Sequence, residues 1–242
     1  MNLIIDVGNS YVKFAVFQQS RLIHKSIFEL FEFASAYFDL KERFPKIGNV
    51  ILSSVGKLEV EKIELIQRDF KVLRLDSNTK LPFKNLYKTP KTLGVDRMAL
   101  VSASVNQYPD SNVLIIDAGT CITYDFVNSE GEYLGGAISP GIKLRYQSLN
   151  NFTANLPLLE AEIPNGIIGD STSQAIHSGV INGILRELDG IIGEYQKKYP
   201  DLTVILTGGD SNFLSNQLKN SIFANSNFLL EGLNYILEFN TN

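Results

Sequence analysis

Two eight-residue stretches carry nearly the same chemistry: residues 3–10 read LIIDVGNS and residues 114–121 read LIIDAGTC. Each closes an apolar run with an aspartate, one spacer, a glycine and then a short polar group. In the first, Gly8 would let the backbone approach a ligand closely, while Asn9, Ser10 and nearby backbone N–H groups could donate to phosphate oxygens. Lys13 would add a point charge to those phosphates, and Asp6 a hard oxygen ligand for Mg²⁺, directly or through water. In the second, Asp117 and Thr120 repeat the pattern, and Thr123 and Asp125 add polar groups on the returning strand. The alternative for either copy alone is a tight hairpin whose polar side chains serve only the turn. A third signal, ILTGGD at 205–210, ends a strand in two glycines. That suits close passage of a nucleotide base or ribose, or a plain strand-to-helix turn.

The stretch YKTPKTLGVDR at 87–97 is chemically distinct. Pro90 and Gly94 break the chain, and a helix is expected to start near Asp96. An aspartate there can be a cap. Beside Arg97 it also suits small-molecule binding, the carboxylate accepting a hydroxyl proton and the guanidinium gripping a carboxylate with both arms. Lys80, Lys84, Lys88 and Lys91 crowd the approach, as anion attractants or as a solvated basic loop. His24 and His177 have no partners at ligand spacing, and Cys121, the only cysteine, reads as structural. Neither a Gly-x-Ser-x-Gly nor a Walker-type loop occurs. Phosphoryl transfer is the chemical class that these groups fit.

Positioning such residues requires elements that repeat as well. Both copies read as strand, Asp-x-Gly turn and returning strand, followed by a third β-rich piece, RLIHKSIF in one half and EYLGGAIS in the other. Later strands are expected at 49–55 and 201–210, and helical spacing at 59–69, 97–107, 172–198 and 211–219. The order matches as well as the phrase, so duplication explains the echo. The join lies near YPDSNV at 108–113, giving expected domains 1–112 and 113–242 with a cleft between their Asp-x-Gly turns. The 242 residues, 44% apolar and 20% charged, suit a soluble globular protein. Net charge of −4 gives no reason to expect a nucleic-acid partner, and no apolar run reaches bilayer-spanning length. A cytoplasmic location is expected. Residues 1–116 carry 16 Lys+Arg against 12 Asp+Glu and the rest 6 against 14, so the halves differ in sign.

Taken together, the motifs resemble the acetate and sugar kinase, heat-shock chaperone and actin superfamily, and within it the type III pantothenate kinases. The resemblance runs through DVGNS, SSV, YKTPKTLGVDR, DAGTCITYDF, GGAISPGIKL, STSQAIHSGVINGI, TGGD and LLEGLNYI. It implies an α/β fold of two similar ribonuclease H-like (actin-like ATPase) domains, each a mixed sheet flanked by helices. It implies ATP- and Mg²⁺-dependent phosphorylation of pantothenate to 4′-phosphopantothenate, the first step of coenzyme A synthesis. By motif position Asp6, Val7, Gly8, Asn9, Ser10, Tyr11, Val12 and Lys13 would form the first phosphate loop, Thr120 would contact ATP, and Asp96 would be the general base. Tyr87, Gly94, Val95, Asp96, Arg97 and Thr172 would bind pantothenate, Arg97 meeting its carboxylate. Asp117 would hold a monovalent cation, K⁺ or NH₄⁺, and the protein would be a homodimer with Thr172 supplied across the interface. Ser10, Cys121 and Ser171 stand where Thr, Ala and Asn are commoner in the family. Two alternatives share the fold: a kinase of another small hydroxylated substrate, and a regulatory accessory factor that binds without catalysis.

Overall fold

The computed structural model describes residues 1–8, 11–54 and 58–241. The chain divides into two compact units, Met1–Pro109 together with Asn227–Asn242, and Asp110–Ser226. The first contains β1 (Asn2–Val7), β2 (Val12–Gln18), β3 (Arg21–Phe28), α1 (Phe33–Arg43), β4 (Asn49–Ser54), α2 (Val60–Gln67), β5 (Val72–Arg74), β6 (Lys84–Asn85) and α3 (Val95–Gln107). The second contains β7 (Val113–Ala118), β8 (Cys121–Val127), β9 (Glu132–Pro140), α4 (Ile142–Asn151), α5 (Thr172–His177), α6 (Gly183–Lys198), β10 (Thr203–Thr207), α7 (Ser211–Ser215) and β11 (Phe223–Ala224). Helix α8 (Phe228–Thr241) follows and belongs to the first unit.

Five strands of each sheet share one topology. Strands run β3-β2-β1-β4-β5 in one and β9-β8-β7-β10-β11 in the other, each antiparallel through its first three strands and parallel through its last two pairs. Even the irregularities correspond, with register shifts at Val16/Phe17 and at Phe126/Val127. Both bulges lie three residues beyond the position facing the turn aspartate, at Lys13 and Thr123 respectively.

In the first unit Leu3, Ile5, Val7, Phe14, Val16, Val50 and Leu52 face a core closed by Phe33, Tyr37 and Leu40 of α1 and Ile66 of α2. Strand alternation sends Asp6, Lys13 and Ser53 to the opposite face, where α8 lies against β1 and β4 and α3 approaches β4. The boundary expected at residue 112 falls three residues past Pro109, and residues 227–242 return to the first unit. The physical reason is packing between α3 and α8: a Cβ at Gly232 would meet the Ala99 carbonyl at 1.9 Å, so only glycine lets these helices approach so closely.

The second unit buries Leu114, Ile116, Ile122, Tyr124 and Leu206 against Val180, Ile184 and Leu188. The apolar face of GVINGILRELDGIIGEY is therefore covered by its own sheet. The segment 172–198 is helical throughout but interrupted by a π-helical turn at Ser178–Asn182. Among the described residues no helix is long and apolar enough to cross a membrane.

Candidate active site

The first hairpin delivers Asp6 to a nearly water-free position. It is 5% exposed and paired in register with Lys13, whose Nζ lies 3.4 Å from Oδ2. On its other side the register partner is the buried Ser53. Burial pushes the Asp6 carboxyl above the usual aspartate range; the Lys13 charge and the Ser53 hydroxyl pull it down, and the negative charge of Asp96 pushes it up. Val7 and Val12 close the hairpin with side chains in the core, so a phosphate could meet these two positions only through backbone. Gly8 donates its N–H to the Tyr11 carbonyl at 3.0 Å, which commits that amide to the turn itself. Tyr11 is exposed, and Asn9 and Ser10 lie outside the described residues.

Asp96 is set at the start of α3, whose N-cap is Gly94. One carboxylate oxygen accepts the Arg97 backbone N–H at 2.8 Å, satisfying a helix-start donor. A Cβ on Gly94 would stand 2.3 Å from that oxygen, so the glycine of Gly-Val-Asp-Arg makes room for the carboxylate. The capping and catalytic readings are thus compatible, since the second oxygen is not the one spent on the helix. Val95 opens the helix. Arg97 is buried, with its guanidinium carbon 5.6 Å from the centre of the Tyr87 ring. Tyr87, Gly94, Asp96 and Arg97 are thereby brought into one neighbourhood of the first unit, together with the Asp6–Lys13 pair.

In the second hairpin the residue facing Asp117 in register is Thr123. Gly119 donates to the Cys121 carbonyl at 2.9 Å, closing a turn one residue shorter than the first. Two other backbones press on this turn. A Cβ on Gly141 would meet the carbonyls of Gly119 and Thr120 at 2.0 and 2.6 Å, and the Gly141 N–H donates to Thr120 at 3.0 Å. Gly208, at φ +94°, packs so that a Cβ would lie 2.3 Å from the Ala118 carbonyl and 2.4 Å from Asp117 Oδ1. The first glycine of TGGD is consumed by this hairpin, whereas Gly209 faces open space. Thr120 is exposed at the tip. Behind Thr123, Asp125 is fully buried and accepts from Tyr133 Oη at 2.7 Å and from Thr123 Oγ1 at 3.3 Å.

Thr172 is exposed in the first turn of α5, behind a Ser171 cap that accepts the Gln174 N–H. His177 is hydrogen-bonded to Tyr146 at 2.7 Å and stays inside the second unit's core. Ser53 lies in the SSV motif but is given no role by the sequence; its signal is the Ser-Ser that ends an otherwise apolar strand. Among the described residues no three His, Cys, Asp or Glu side chains gather as a metal-ligand set. Asp6 and Asp96, close enough to influence each other, do fit a Mg²⁺ held by one or two carboxylates plus phosphate and water oxygens.

A family model described as type III pantothenate kinase matches residues 2–194. A type III pantothenate kinase of Christiangramia forsetii is 56% identical over 240 residues, covering 99% of each chain. Among solved structures, a Campylobacter jejuni protein described as of the Baf family of transcriptional activators is similar with a TM-score of 0.63 at 23% identity, over 98% of each chain. A glucokinase from an Antarctic psychrotroph is similar with a TM-score of 0.54 at 13% identity, also over 98% of each. These two likenesses show the fold alone, that of two ribonuclease H-like units. Matched by the family model over most of its length and by a relative over nearly all of it, the chain belongs to the type III pantothenate kinase family.

Proposed function

We propose that Asp96 is the general base of this kinase and that each Asp-x-Gly hairpin handles a different charge of the ATP complex. The reaction follows from the family: ATP phosphorylates pantothenate to 4′-phosphopantothenate, the first step of coenzyme A synthesis. The observation that carries the assignment is the placement of Asp96, with one oxygen anchored by the helix start and its charge felt at Asp6. The substrate's primary hydroxyl oxygen bonds to the γ-phosphorus while the bond to the bridging oxygen breaks. ADP leaves with that electron pair, and Asp96 accepts the hydroxyl proton. Arg97, stiffened against Tyr87, suits bidentate capture of the pantothenate carboxylate. Lys13 and the turn at Gly8 serve phosphate oxygens in the first unit, and Thr120 serves ATP in the second. Bound Mg²⁺ would neutralise the β- and γ-phosphates, with Asp6 within its coordination sphere or one water away.

Asp117 is assigned to a monovalent cation, K⁺ or NH₄⁺. What supports this is the register difference: the lysine that faces Asp6 is replaced by Thr123 opposite Asp117. A homodimer is the proposed assembly, with Thr172 reaching the partner's pantothenate site. Its support is not α6 but the irregular segment before α5, where Phe152 and Ile168 are each 87% exposed and Leu158, Ile163 and Ile167 are exposed too. A monomer mass at all concentrations in light scattering would overturn the dimer.

Asp96→Asn tests the central assignment. Turnover should fall by about 10²–10⁴-fold while ATP affinity stays near wild type. Near-normal turnover would reduce Asp96 to a helix-start residue.

A further inference from the structure

Outside the residues assigned so far, one polar cluster in the second unit is joined by four hydrogen bonds. Glu187, on α6, accepts from Tyr124 Oη at 2.8 Å through one oxygen and from the Arg145 guanidinium through the other. Arg145, on α4, also donates from Nε to the Pro140 carbonyl at 2.9 Å and from its terminal nitrogen to Ser139 Oγ at 2.9 Å. The carboxylate therefore ties together two separate pieces of chain. One is β8, leaving the second hairpin. The other is the Ser139-Pro140-Gly141 corner, whose glycine presses on the carbonyls of Gly119 and Thr120.

We propose that Glu187, acting through Arg145 and Tyr124, is a positioning residue that holds the Pro140–Gly141 corner against the Gly119–Thr120 turn, fixing that turn for ATP. The functional part rests on the reading that Thr120 meets ATP; the mechanical part does not. Three features separate this cluster from an incidental surface ion pair. Both side chains are part-buried, about a fifth to a quarter exposed, so solvent screens them less than it would a fully exposed pair. Burial alone would raise the Glu187 carboxyl, yet donors on Arg145, Ser139 and Tyr124 hold it below the usual glutamate range, so it stays ionised. And α6 is a stiff base for it, since the neighbouring Ile184 and Leu188 are fully buried in the core. A carboxylate with donors on both oxygens, mounted on a packed helix, leaves the corner little freedom to lift off the turn.

The test compares Glu187→Gln, Arg145→Met, the double variant and Thr120→Val in steady-state kinetics. It adds amide exchange at Gly141, whose N–H is bonded to Thr120. Glu187→Gln should raise KM for ATP about tenfold, the equivalent of one charge-assisted hydrogen bond, while KM for pantothenate moves less than about twofold. The double variant should be no worse than the poorer single, because the two side chains act as one clamp. Exchange at Gly141 should accelerate far more than exchange on α6. Equal losses in both KM values and in kcat would mean a merely structural pair and would overturn the proposal. So would unchanged Gly141 exchange, or an unchanged KM for ATP in Glu187→Gln when Thr120→Val raises it. If Thr120→Val leaves ATP unaffected while Gly141 exchange still accelerates in Glu187→Gln, the clamp stands and the ATP assignment of the turn fails.

Discussion

The two hairpins begin from almost the same eight residues and end as different devices. In the first, β1 and β2 return through a longer turn, and the residue opposite the aspartate is a lysine 3.4 Å away. In the second, the turn is one residue shorter, and the residue opposite is a threonine that donates to a buried aspartate behind it. Their supports differ as well. Among the described residues a Cβ on Gly8 would meet the Tyr11 carbonyl of its own turn, at 3.3 Å, whereas the second hairpin is pressed by Gly141 from one loop and Gly208 from another. Duplication copies a backbone frame readily, but one inserted residue changes which side chain faces the acid. At one copy a lysine then faces the acid, while at the other a threonine does and two loop glycines press on the turn.

Three experiments would break or sharpen this contrast. The largest effect is expected at Asp117. Asp117→Asn should lower activity by about 10²-fold or more and remove the response to K⁺, if an oriented charge at this turn is used in the transition state. Full wild-type activity in Mg²⁺ with only Na⁺ or a bulky organic cation would erase the proposed difference in charge balance. Next, alanine at the two supporting glycines should have unequal costs. Gly208→Ala puts a side chain at positive φ and into the Ala118 carbonyl, and should cost ~1–3 kcal/mol or more in urea unfolding. Gly8→Ala, whose contact among the described residues is 3.3 Å, should cost less; equal values would show that the second turn is no more tightly buttressed.

The smallest and most local effect concerns Asp6. Lys13→Met should push its carboxyl further up, because the ammonium now opposes the effect of burial. A carboxyl raised in the folded state favours its protonated form there. Its stabilising contribution is present below the ordinary aspartate value and lost as pH rises through the raised one. The variant should therefore lose more stability than wild type as pH climbs through that window, with a carboxyl NMR titration reporting Asp6 directly. An unmoved titration would show that Lys13 does not neutralise the first hairpin's acid.

Strands β1, β2, β7 and β8 are legible in the sequence because their apolar runs are interrupted at the turn by residues that suit nothing else. The helix from 95 to 107 is legible for the same reason, Gly94 marking its start. By contrast, α1 hides in FASAYFDLKER, where the exposed Phe38 within it and Phe31 before it blur its period, and α8 is apolar on too many sides to show one face. In the site, residue types and spacing single out Asp6, Lys13, Asp96 and Arg97. They do not reveal that Thr123 rather than Tyr124 faces Asp117, which depends on a one-residue difference in turn length. Nor do they reveal Arg145 with Glu187, 42 residues apart, because nothing local in either stretch asks for the other.

The return of α8 to the first unit has a consequence for how the molecule is made. Ribosomal synthesis delivers β1 through α3 first, then the whole of residues 110–226, and only afterwards the helix whose Gly232 nests on Ala99. Until then the flank of α3 that α8 will cover has no lasting neighbour, and Asn2 lacks the Asn234 amide that it will later bond at 2.8 Å. The second unit, contiguous in sequence, can mature while the first is still waiting. The first unit made is thus the last one that can be completed, because its closing helix leaves the ribosome after the whole of the second unit.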